Sequence, residues 1–179
     1  VPRTVASACT VREELVPHRK VKLVGFGITR EDAEEANTLR HEATVAVTDP
    51  TCTLDPSCQA SIAPNGEFIA GGRGTDSCFG DSGGPVLLAL PTGQALVGIM
   101  SPGLTLAATT RGGGGIYVRA DKVTSWIQSV TGRKLFRTTC GGKGDEAESE
   151  SEGGCQTTGP LDSGLLLVVG VALVLRRRR

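Results

Sequence analysis

The sequence predicts an all-β domain followed by an unfolded linker and a short hydrophobic tail. Hydrophobic residues make up 39% of the 179 residues, aromatic residues make up 3%, and there are 25 glycines. This composition suits a loop-rich β protein better than a helical bundle. Short β-prone runs are cut by glycine, proline and aspartate, at a spacing typical of a sandwich or a barrel. The runs are "VKLVGFGIT", "TVAV", "GEFIAG", "PVLLAL", "QALVGIM" and "GIYVRA".

One helix is predicted at the end of the β region, in "DKVTSWIQSV". Its apolar residues recur at i, i+3, i+4 and i+7, and Asp121 can cap the first turn. We expect the apolar face to pack on the sheet. That face consists of Val123, Trp126, Ile127 and Val130.

Composition changes sharply after this helix, which predicts three parts of the chain. Residues 1–137 form the folded domain. Residues 138–160 are acidic, rich in glycine and serine and nearly free of large apolar residues, so they form a linker that cannot bury enough surface to fold. Residues 161–179 contain the apolar run "GLLLVVGVALVL" and four arginines. That run reaches about 18 Å as a helix, short of the ~30 Å hydrocarbon core of a bilayer.

Charge and cysteine usage exclude several function classes. The chain has 19 basic and 19 acidic residues, so no overall positive field favours nucleic acid. The six cysteines lack the paired spacing of a zinc or redox site, and there are only two histidines. Disulfides in an oxidising compartment are therefore expected, with open connectivity and with no metal or cofactor. The N-terminus has no apolar signal core, so any export signal is expected upstream.

Ser82 lies in the run "GDSGG", which formally satisfies the nucleophile pattern G-x-S-x-G. The α/β-hydrolase order places the histidine after the serine, but His18 and His41 both precede Ser82. The subtilisin order requires an aspartate well before its histidine. No aspartate precedes His18, and only Asp32 precedes His41. The order histidine, aspartate, serine remains.

The segment "DSCFGDSGGPV" resembles the active-site segment of trypsin-like serine endopeptidases of the chymotrypsin fold (family S1). Other segments are similar to that family in the same order, and together the resemblance covers roughly residues 1–133. It implies the second six-stranded β-barrel of a two-barrel fold, with a C-terminal helix. The further segments are "LVGFGIT", "LVGIMSPG", "GGIYVRA" and "VTSWIQSV".

The residue types around Ser82 fit acyl transfer. Ser82 would attack the acyl carbon as nucleophile, and the backbone N–H groups of Gly80 and Ser82 would stabilise the developing oxyanion. The resemblance implies that Asp81 accepts the N-terminal ammonium that forms when a zymogen is cleaved. Such an enzyme acts on polypeptide substrates.

The resemblance also implies a substrate pocket with a carboxylate at its base. Asp76 matches the position that selects Arg or Lys, because a charge in a low-dielectric pocket favours a partner of opposite charge. Gly103 and Gly115 match the pocket walls. Ser101 and Gly103 match the residues that contact the substrate backbone, with Pro102 in place of an aromatic residue.

Two features depart from the family pattern. Cys78 matches a half-cystine, but the partner expected in "GLTLAATTRGGGG" is absent. Either Cys52, Cys58 or Cys140 substitutes for that partner, or the pocket is less rigid than usual. The family's histidine turn and aspartate strand, both on the first barrel, are also absent.

His18 lies in a basic loop and His41 on an alternating strand, so both are interpreted as surface or structural residues rather than catalytic bases. We therefore expect this chain to be the C-terminal portion of a longer precursor. The upstream half would be its partner and would supply the general base, and the fragment alone would be inactive.

The end of the chain, "GGCQTTGPLDSGLLLVVGVALVLRRRR", is similar to the C-terminal sorting tails of myxobacterial surface proteins. The resemblance implies a bacterial protein that is secreted or held at the cell envelope. Its apolar segment would lie in the membrane before sorting machinery processes or anchors it at Cys155. The arginines favour the cytoplasmic side. The alternative is a plain stop-transfer helix with Cys155 in a disulfide.

The function predicted is a serine endopeptidase that cleaves after Arg or Lys. One alternative is a catalytically inactive trypsin-like binding module displayed on the cell surface. Another is a structural surface protein on an acidic stalk. Both alternatives predict that an active-site probe leaves Ser82 unlabelled.

Overall fold

The computed structural model describes residues 4–29, 38–56, 58, 65–72, 74–101 and 114–140. The chain divides into two units, Val1–Asp145 and Glu146–Arg179, and all described residues belong to the first. These residues form seven strands and two helices. In chain order they are β1 (Thr4–Val5), α1 (Ala8–Glu14), β2 (Lys20–Gly25), β3 (His41–Asp49), β4 (Glu67–Ala70), β5 (Pro85–Leu90), β6 (Gly93–Met100), β7 (Gly115–Arg119) and α2 (Ala120–Thr131).

Strands β2 to β7 close into a six-stranded antiparallel barrel. Their order is β6-β5-β2-β3-β4-β7, and β7 pairs again with β6. Strand β6 pairs with two different strands along one edge. Ala95 and Leu96 pair in parallel with β1, whereas residues 98–100 pair with β7. This closure confirms the predicted all-β barrel with a C-terminal helix.

The barrel interior is filled by alternate residues of the strands, as the period-two pattern requires. Phe68 and Tyr117 are fully buried, and their ring centroids lie 5.3 Å apart. A Cβ on Gly98 would lie 2.7 Å from the Phe68 ring, so the glycine makes room for that ring. The other core residues of the strands include Val21, Leu23, Val45, Val47, Val86, Leu88, Ala95 and Val97.

The first and last described segments of the chain are connected by backbone hydrogen bonds and a disulfide. Val5 donates its N–H to the Phe136 carbonyl at 2.8 Å, and Thr138 donates its N–H to the Val5 carbonyl at 2.9 Å. A disulfide joins Cys9 to Cys140, 131 residues apart in sequence. These hydrogen bonds and this disulfide therefore attach the chain to the barrel as far as Cys140.

Helix α1 was not predicted from the sequence. Ser7 caps it, because its hydroxyl accepts the Thr10 N–H at 3.4 Å. The Ser7 and Thr10 hydroxyls lie within hydrogen-bonding distance of the Thr138 hydroxyl, at 3.2 and 2.6 Å, and Val11 and Leu15 are buried. Contacts to the far end of the chain thus hold this short helix.

The second disulfide joins Cys52 to Cys58. The suggested substitution of Cys52, Cys58 or Cys140 as partner of Cys78 is therefore wrong, because all three are already bonded. Cys78 is a free, half-buried cysteine.

The predicted helix is α2, but its orientation differs from the prediction. Its buried residues are Ala120 and Thr124, whereas Trp126 is 67% exposed and Val130 is 65% exposed. The expectation that the whole apolar face packs on the sheet was therefore wrong for Trp126 and Val130, whereas Val123 and Ile127 are half-buried. Because α2 continues directly from β7, the end of that strand determines which side of the helix meets the barrel.

Asp121 does not cap α2. Its carboxylate accepts hydrogen bonds from the Arg119 guanidinium at 3.1 and 2.7 Å, and the cap residue Arg119 makes no side-chain capping bond. The ion pair thus occupies the oxygens that a cap would have used. At the other end, Gly132 has a φ of 67°, a left-handed conformation that suits glycine.

Within the described ranges, no helix is long and apolar enough to span a bilayer. Several predicted features lie outside the described residues. They are Gly103, the linker beyond Cys140, Cys155 and the tail at residues 161–179.

Candidate active site

Ser82 lies on a tight turn that leads into β5. Gly84 donates its N–H to the Asp81 carbonyl at 2.9 Å. Gly83 donates its N–H to the Met100 carbonyl at 2.8 Å, and Met100 donates its N–H to the Gly84 carbonyl at 2.9 Å. The turn is therefore fixed against the end of β6, and Ser82 itself is exposed.

Two backbone donors beside Ser82 are available to a substrate. Among the described residues, the N–H groups of Gly80 and Ser82 have no hydrogen-bond partner. Gly80 has a φ of 91° and Gly83 a φ of 82°, which L side chains rarely adopt. The turn therefore exposes two N–H groups of the kind that stabilises an oxyanion.

Asp81 is held on the side of the turn away from solvent. One carboxylate oxygen accepts the Gly27 N–H at 2.7 Å, and the other accepts the Cys78 N–H at 2.9 Å. A Cβ on Gly27 would lie 2.5 Å from the Asp81 carboxyl carbon, and a Cβ on Gly25 would overlap the same carboxylate. The two glycines of "GFG" thus create the space that Asp81 occupies.

A cavity of about 470 Å³ lies beside this turn. It is lined by Gly25 and Gly27 at the end of β2, by His41 at the start of β3, and by Asp76 and Asp81. His41 is exposed, as predicted for a surface residue, but the sequence did not indicate that it borders a cavity with the carboxylates of Glu42, Asp76 and Asp81.

Neither histidine is bonded to the serine. His18 lies in an exposed turn with a φ of 68°, and its N–H donates to the Val47 carbonyl at 2.8 Å. In the described part of the chain, no hydrogen bond joins His18 or His41 to Ser82.

Asp76 lies between the cavity and β7. Its carboxylate accepts the Gly114 N–H at 3.1 Å. The next residue, Ser77, accepts a hydrogen bond from the Tyr117 hydroxyl at 3.3 Å. A Cβ on Gly115 would lie 2.8 Å from the Ser77 hydroxyl and 2.6 Å from the Tyr117 hydroxyl. Position 115 therefore accepts only glycine while these two residues stay in place.

Ser101 follows β6 and donates its N–H to the Ile116 carbonyl at 3.4 Å. It is half-buried and follows directly on Met100, to which the Ser82 turn is bonded. The structure thus brings the Ser82 turn, Asp81, Asp76, Ser101 and Gly115 to the ends of neighbouring barrel strands.

Comparison with known families agrees with this arrangement. The family model described as Trypsin matches residues 1–127.

The chain belongs to the trypsin family.

Similar proteins include several named proteases of this family. The Clotting factor G beta subunit of Tachypleus tridentatus is 31% identical over 121 residues, which cover 63% of this chain and 38% of that protein. Transmembrane protease serine 9 of Rattus norvegicus is 33% identical over 119 residues, covering 64% and 11%. Transmembrane protease serine 11C of Mus musculus is 32% identical over 124 residues, covering 67% and 28%. The chain spans well under half the length of each relative. At the family level these matches support a serine endopeptidase.

Ser77 and Tyr117 are parts of this trypsin-family site that the sequence analysis missed. The only available signal was the alternation in "GIYVRA", which places Tyr117 on a strand but not beside Ser77. Burial raises the pKa of Tyr117 to about 12; hydrogen bonding with Ser77 lowers this pKa, and the charges of Asp76 and Asp81 raise it. The phenol is therefore held in its neutral form.

We expect Tyr117 to ionise with a midpoint near pH 12 in the folded chain and near pH 10 in denaturant. Because the chain has one tyrosine, ultraviolet absorbance measures this residue alone. A raised folded-state pKa means that its contribution to stability is complete below about pH 10 and is lost as pH rises toward about 12, by at most about 3 kcal/mol. Tyr117→Phe should remove this pH dependence. A folded-state midpoint near 10 would contradict the burial of the hydroxyl.

Proposed function

We propose that the chain is the C-terminal half of a trypsin-like serine endopeptidase that acts through an acyl-enzyme on Ser82. The supporting observation is the exposed Ser82 on a turn where the N–H groups of Gly80 and Ser82 have no hydrogen-bond partner among the described residues. In this mechanism the Ser82 hydroxyl gives its proton to the general base as its oxygen forms a bond to the acyl carbon, and the two N–H groups donate to the oxyanion. The amine then leaves with a proton from the general acid, and water releases the acid product.

Asp76 is proposed to select substrates with Arg or Lys before the scissile bond. Its carboxylate is half-buried, where a charged partner is worth more than in water. A planar guanidinium can donate two parallel hydrogen bonds to a carboxylate. A Cβ on Gly115 would clash with the Ser77 and Tyr117 hydroxyls, so glycine is proposed to form the pocket wall at this position. In the same proposal Ser101 and Gly103 bind the substrate backbone.

Asp81 is proposed to form the activation salt bridge. Its carboxylate lines the 470 Å³ cavity, which is large enough for the first residues of a newly cut chain. Two backbone N–H groups fix the carboxylate in place. An N-terminal ammonium that entered the cavity would form an ion pair with the Asp81 carboxylate. That ion pair would stabilise the adjacent turn, which carries the N–H groups of Gly80 and Ser82.

The general base and its aspartate are proposed to come from an upstream half of a longer precursor. Two observations favour this: among the described residues neither histidine is hydrogen-bonded to Ser82, and the match covers 38% of the Clotting factor G beta subunit. In the same proposal residues 1–137 are the peptidase part and 138–160 a linker. Residues 161–179 form a sorting tail, processed or anchored at Cys155, of a secreted or envelope-bound bacterial protein.

Labelling with a fluorophosphonate tests the catalytic proposal. We expect the full-length precursor to carry the label on Ser82, located by mass spectrometry of the labelled peptide. The Ser82→Ala precursor should not be labelled. The present chain alone should remain unlabelled, because a serine without a base is a weak nucleophile.

Two outcomes would contradict parts of this proposal. A folded precursor that is not labelled would favour the inactive binding module. Turnover of an arginyl ester by the present chain alone, lost in Ser82→Ala, would show that the upstream half is not needed for the base.

A further inference from the structure

The disulfide between Cys9 and Cys140 lies against a cluster of hydroxyl groups. The Ser7 oxygen is 3.1 Å from Cys9 Sγ, and the Ser7 and Thr10 oxygens are each 3.5 Å from Cys140 Sγ. A disulfide sulfur carries no hydrogen, so a hydroxyl can only be the donor in such a contact. Both sulfurs therefore have hydrogen-bond donors beside them.

The backbone fixes these hydroxyl oxygens in place. Ser7 and Thr10 are buried, their oxygens lie 3.0 Å apart, and these two oxygens lie 3.2 and 2.6 Å from the Thr138 oxygen. Ser7 Oγ accepts the Thr10 N–H at 3.4 Å, and Thr138 Oγ1 accepts the Ser7 N–H at 2.9 Å. The hydroxyl hydrogens, by contrast, rotate toward whichever neighbour is the best acceptor.

A thiolate beside this cluster would be that best acceptor. Reduction by thiol exchange makes one sulfur of a disulfide leave as a thiolate, and the rate rises as the leaving thiolate is stabilised. Hydrogen bonds to an ionised group are about twice as strong as those between neutral groups. The charged residues nearest Cys9 on its own helix face are Arg12 and Glu13, which are both exposed and opposite in sign. The hydroxyls are therefore the groups that favour a thiolate here.

We propose that Cys9 and Cys140 form a redox latch, which a dithiol reductant opens in the folded protein while the Cys52–Cys58 disulfide stays closed. A thiolate of the reductant attacks Cys140 Sγ, the electron pair of the sulfur–sulfur bond goes to Cys9 Sγ, and Cys9 leaves as a thiolate. The second thiol of the reductant then attacks the mixed disulfide and releases Cys140. The dithiol is oxidised to its disulfide by loss of two electrons, and its two protons end on the two cysteines.

Ser7 determines which of the two cysteines leaves. It precedes Cys9 by two residues and stays beside Cys9 when Cys140 moves away. The contacts of Ser7 and Thr10 with Cys140, in contrast, are lost as the two segments separate. Cys140 is half-buried and the residue before it is exposed, so a small dithiol can reach its sulfur. Attack at Cys140 therefore keeps the closest donor next to the leaving thiolate.

The Cys52–Cys58 disulfide lacks these features. Cys52 is 2% exposed, and the two cysteines pack with Ile69 and Ile116. Among the described residues, no hydroxyl donates a hydrogen bond to either of these sulfurs. A thiolate formed there would lie in apolar surroundings, which disfavour a charge. The two sulfurs are also only six residues apart in sequence, so an opened bond closes again easily.

Opening of the redox latch would loosen the first and last described segments of the chain. The segment that ends at Cys140 would lose its covalent link to α1. It would then be held by hydrogen bonds, including those of Val5 with Phe136 and Thr138 at 2.8 and 2.9 Å. Strands β2 to β7 contain neither cysteine of the redox latch, so we expect the barrel to stay folded. This inference does not depend on catalysis by Ser82.

Timed reduction of the folded full chain tests the proposal. Free thiols are first blocked with N-ethylmaleimide and dithiothreitol is then added. The thiols that appear are labelled with iodoacetamide and located by peptide mass spectrometry. We expect Cys9 and Cys140 to be labelled at least about tenfold faster than Cys52 and Cys58. With glutathione in place of the dithiol, the trapped mixed disulfide should lie on Cys140.

Variants at Ser7 separate the donor from the helix cap. Ser7→Ala should slow the opening of the redox latch by roughly five- to tenfold, the loss of one hydrogen bond to a partly charged sulfur. Loss of the cap alone would expose the disulfide and speed its reduction, which is the opposite sign. Ser7→Thr keeps both the hydroxyl and the cap and should keep the rate. The rate for Cys52–Cys58 is the internal reference in each variant.

Amide hydrogen exchange measures the release itself. When only the redox latch is reduced, the N–H groups of Val5 and Thr138 should exchange about tenfold faster or more, because their segment opens locally. The N–H groups of β2 and β5 should keep their protection.

Four results would each overturn the proposal. The first is reduction of the two disulfides at equal rates, or of Cys52–Cys58 first. The second is opening of the redox latch only in concentrations of urea that unfold the barrel. The third is a Ser7→Ala rate that equals or exceeds that of the unchanged chain. The fourth is unchanged exchange at Val5 and Thr138 after reduction, which would show that the bond opens without releasing the segment.

Discussion

Replacing Phe68 with alanine is expected to lower the free energy of unfolding by about 4 kcal/mol, in the usual range for a buried phenylalanine. Phe68 is completely buried, and its ring packs against Tyr117, 5.3 Å away between centroids. Gly98 lies against the ring and has no side chain that could fill the space. The cavity would therefore remain open. Urea unfolding with both disulfides intact measures the loss.

Phe79→Ala is the matched control for this change. The same atoms are removed, but Phe79 is 76% exposed, so the free energy of unfolding should change by less than about 0.5 kcal/mol. Equal losses in the two variants would contradict the barrel interior described above.

Asp76→Asn is expected to reduce kcat/KM for an arginyl ester by about 10²- to 10³-fold in the full-length precursor. The neutral amide leaves the substrate cation without a charged partner, and truncating one member of a buried charge pair costs about 2–5 kcal/mol. Turnover of a leucyl ester should not fall with it, because that substrate brings no charge. The comparison of the two esters isolates the role of the carboxylate.

Glu42→Gln provides the control for Asp76. Glu42 borders the same cavity but is exposed and ion-paired with Lys22 at 3.1 Å, so its neutralisation should leave the ester preference unchanged. An Asp76→Asn precursor that keeps its preference for arginine would contradict the proposed role of Asp76.

Local sequence patterns predicted the strands of the barrel but not all of its contacts. Short β-prone runs bounded by glycine, proline and aspartate located β2 to β7. Helix α1 was missed because it is short and buries only Thr10 and Val11, and because it depends on Thr138 and Cys140 from the far end of the chain. No local pattern reports such contacts.

The orientation of α2 shows a related limit. Helical spacing predicted one apolar face of Val123, Trp126, Ile127 and Val130, but spacing cannot say how much of that face is covered: Val123 and Ile127 are half-buried and the other two are exposed. The end of β7 turns Ala120 and Thr124 toward the barrel instead. The amphipathic pattern was real, and the assumption that the sheet covers all of it was the error.

The sequence predicted one part of the candidate site and missed another. The run "GDSGG" was sufficient to locate the Ser82 turn, because its glycines adopt backbone conformations that other residues rarely reach. The Ser77 to Tyr117 bond depends on how β7 enters the barrel and could not be read from spacing. Six cysteines allow fifteen pairings, so the disulfides needed the structure.

The disulfide between Cys9 and Cys140 also determines how the barrel responds to mechanical force. Cys9 and Cys140 are 131 residues apart in sequence. Tension applied between the chain before Cys9 and the chain after Cys140 travels through the sulfur–sulfur bond, so the residues between the two cysteines carry none of it. A barrel tethered at its C-terminal end is thereby shielded from pulling. Reduction of that bond would transfer the load to the hydrogen bonds of Val5 with Phe136 and Thr138, which separate at far lower force than a covalent bond.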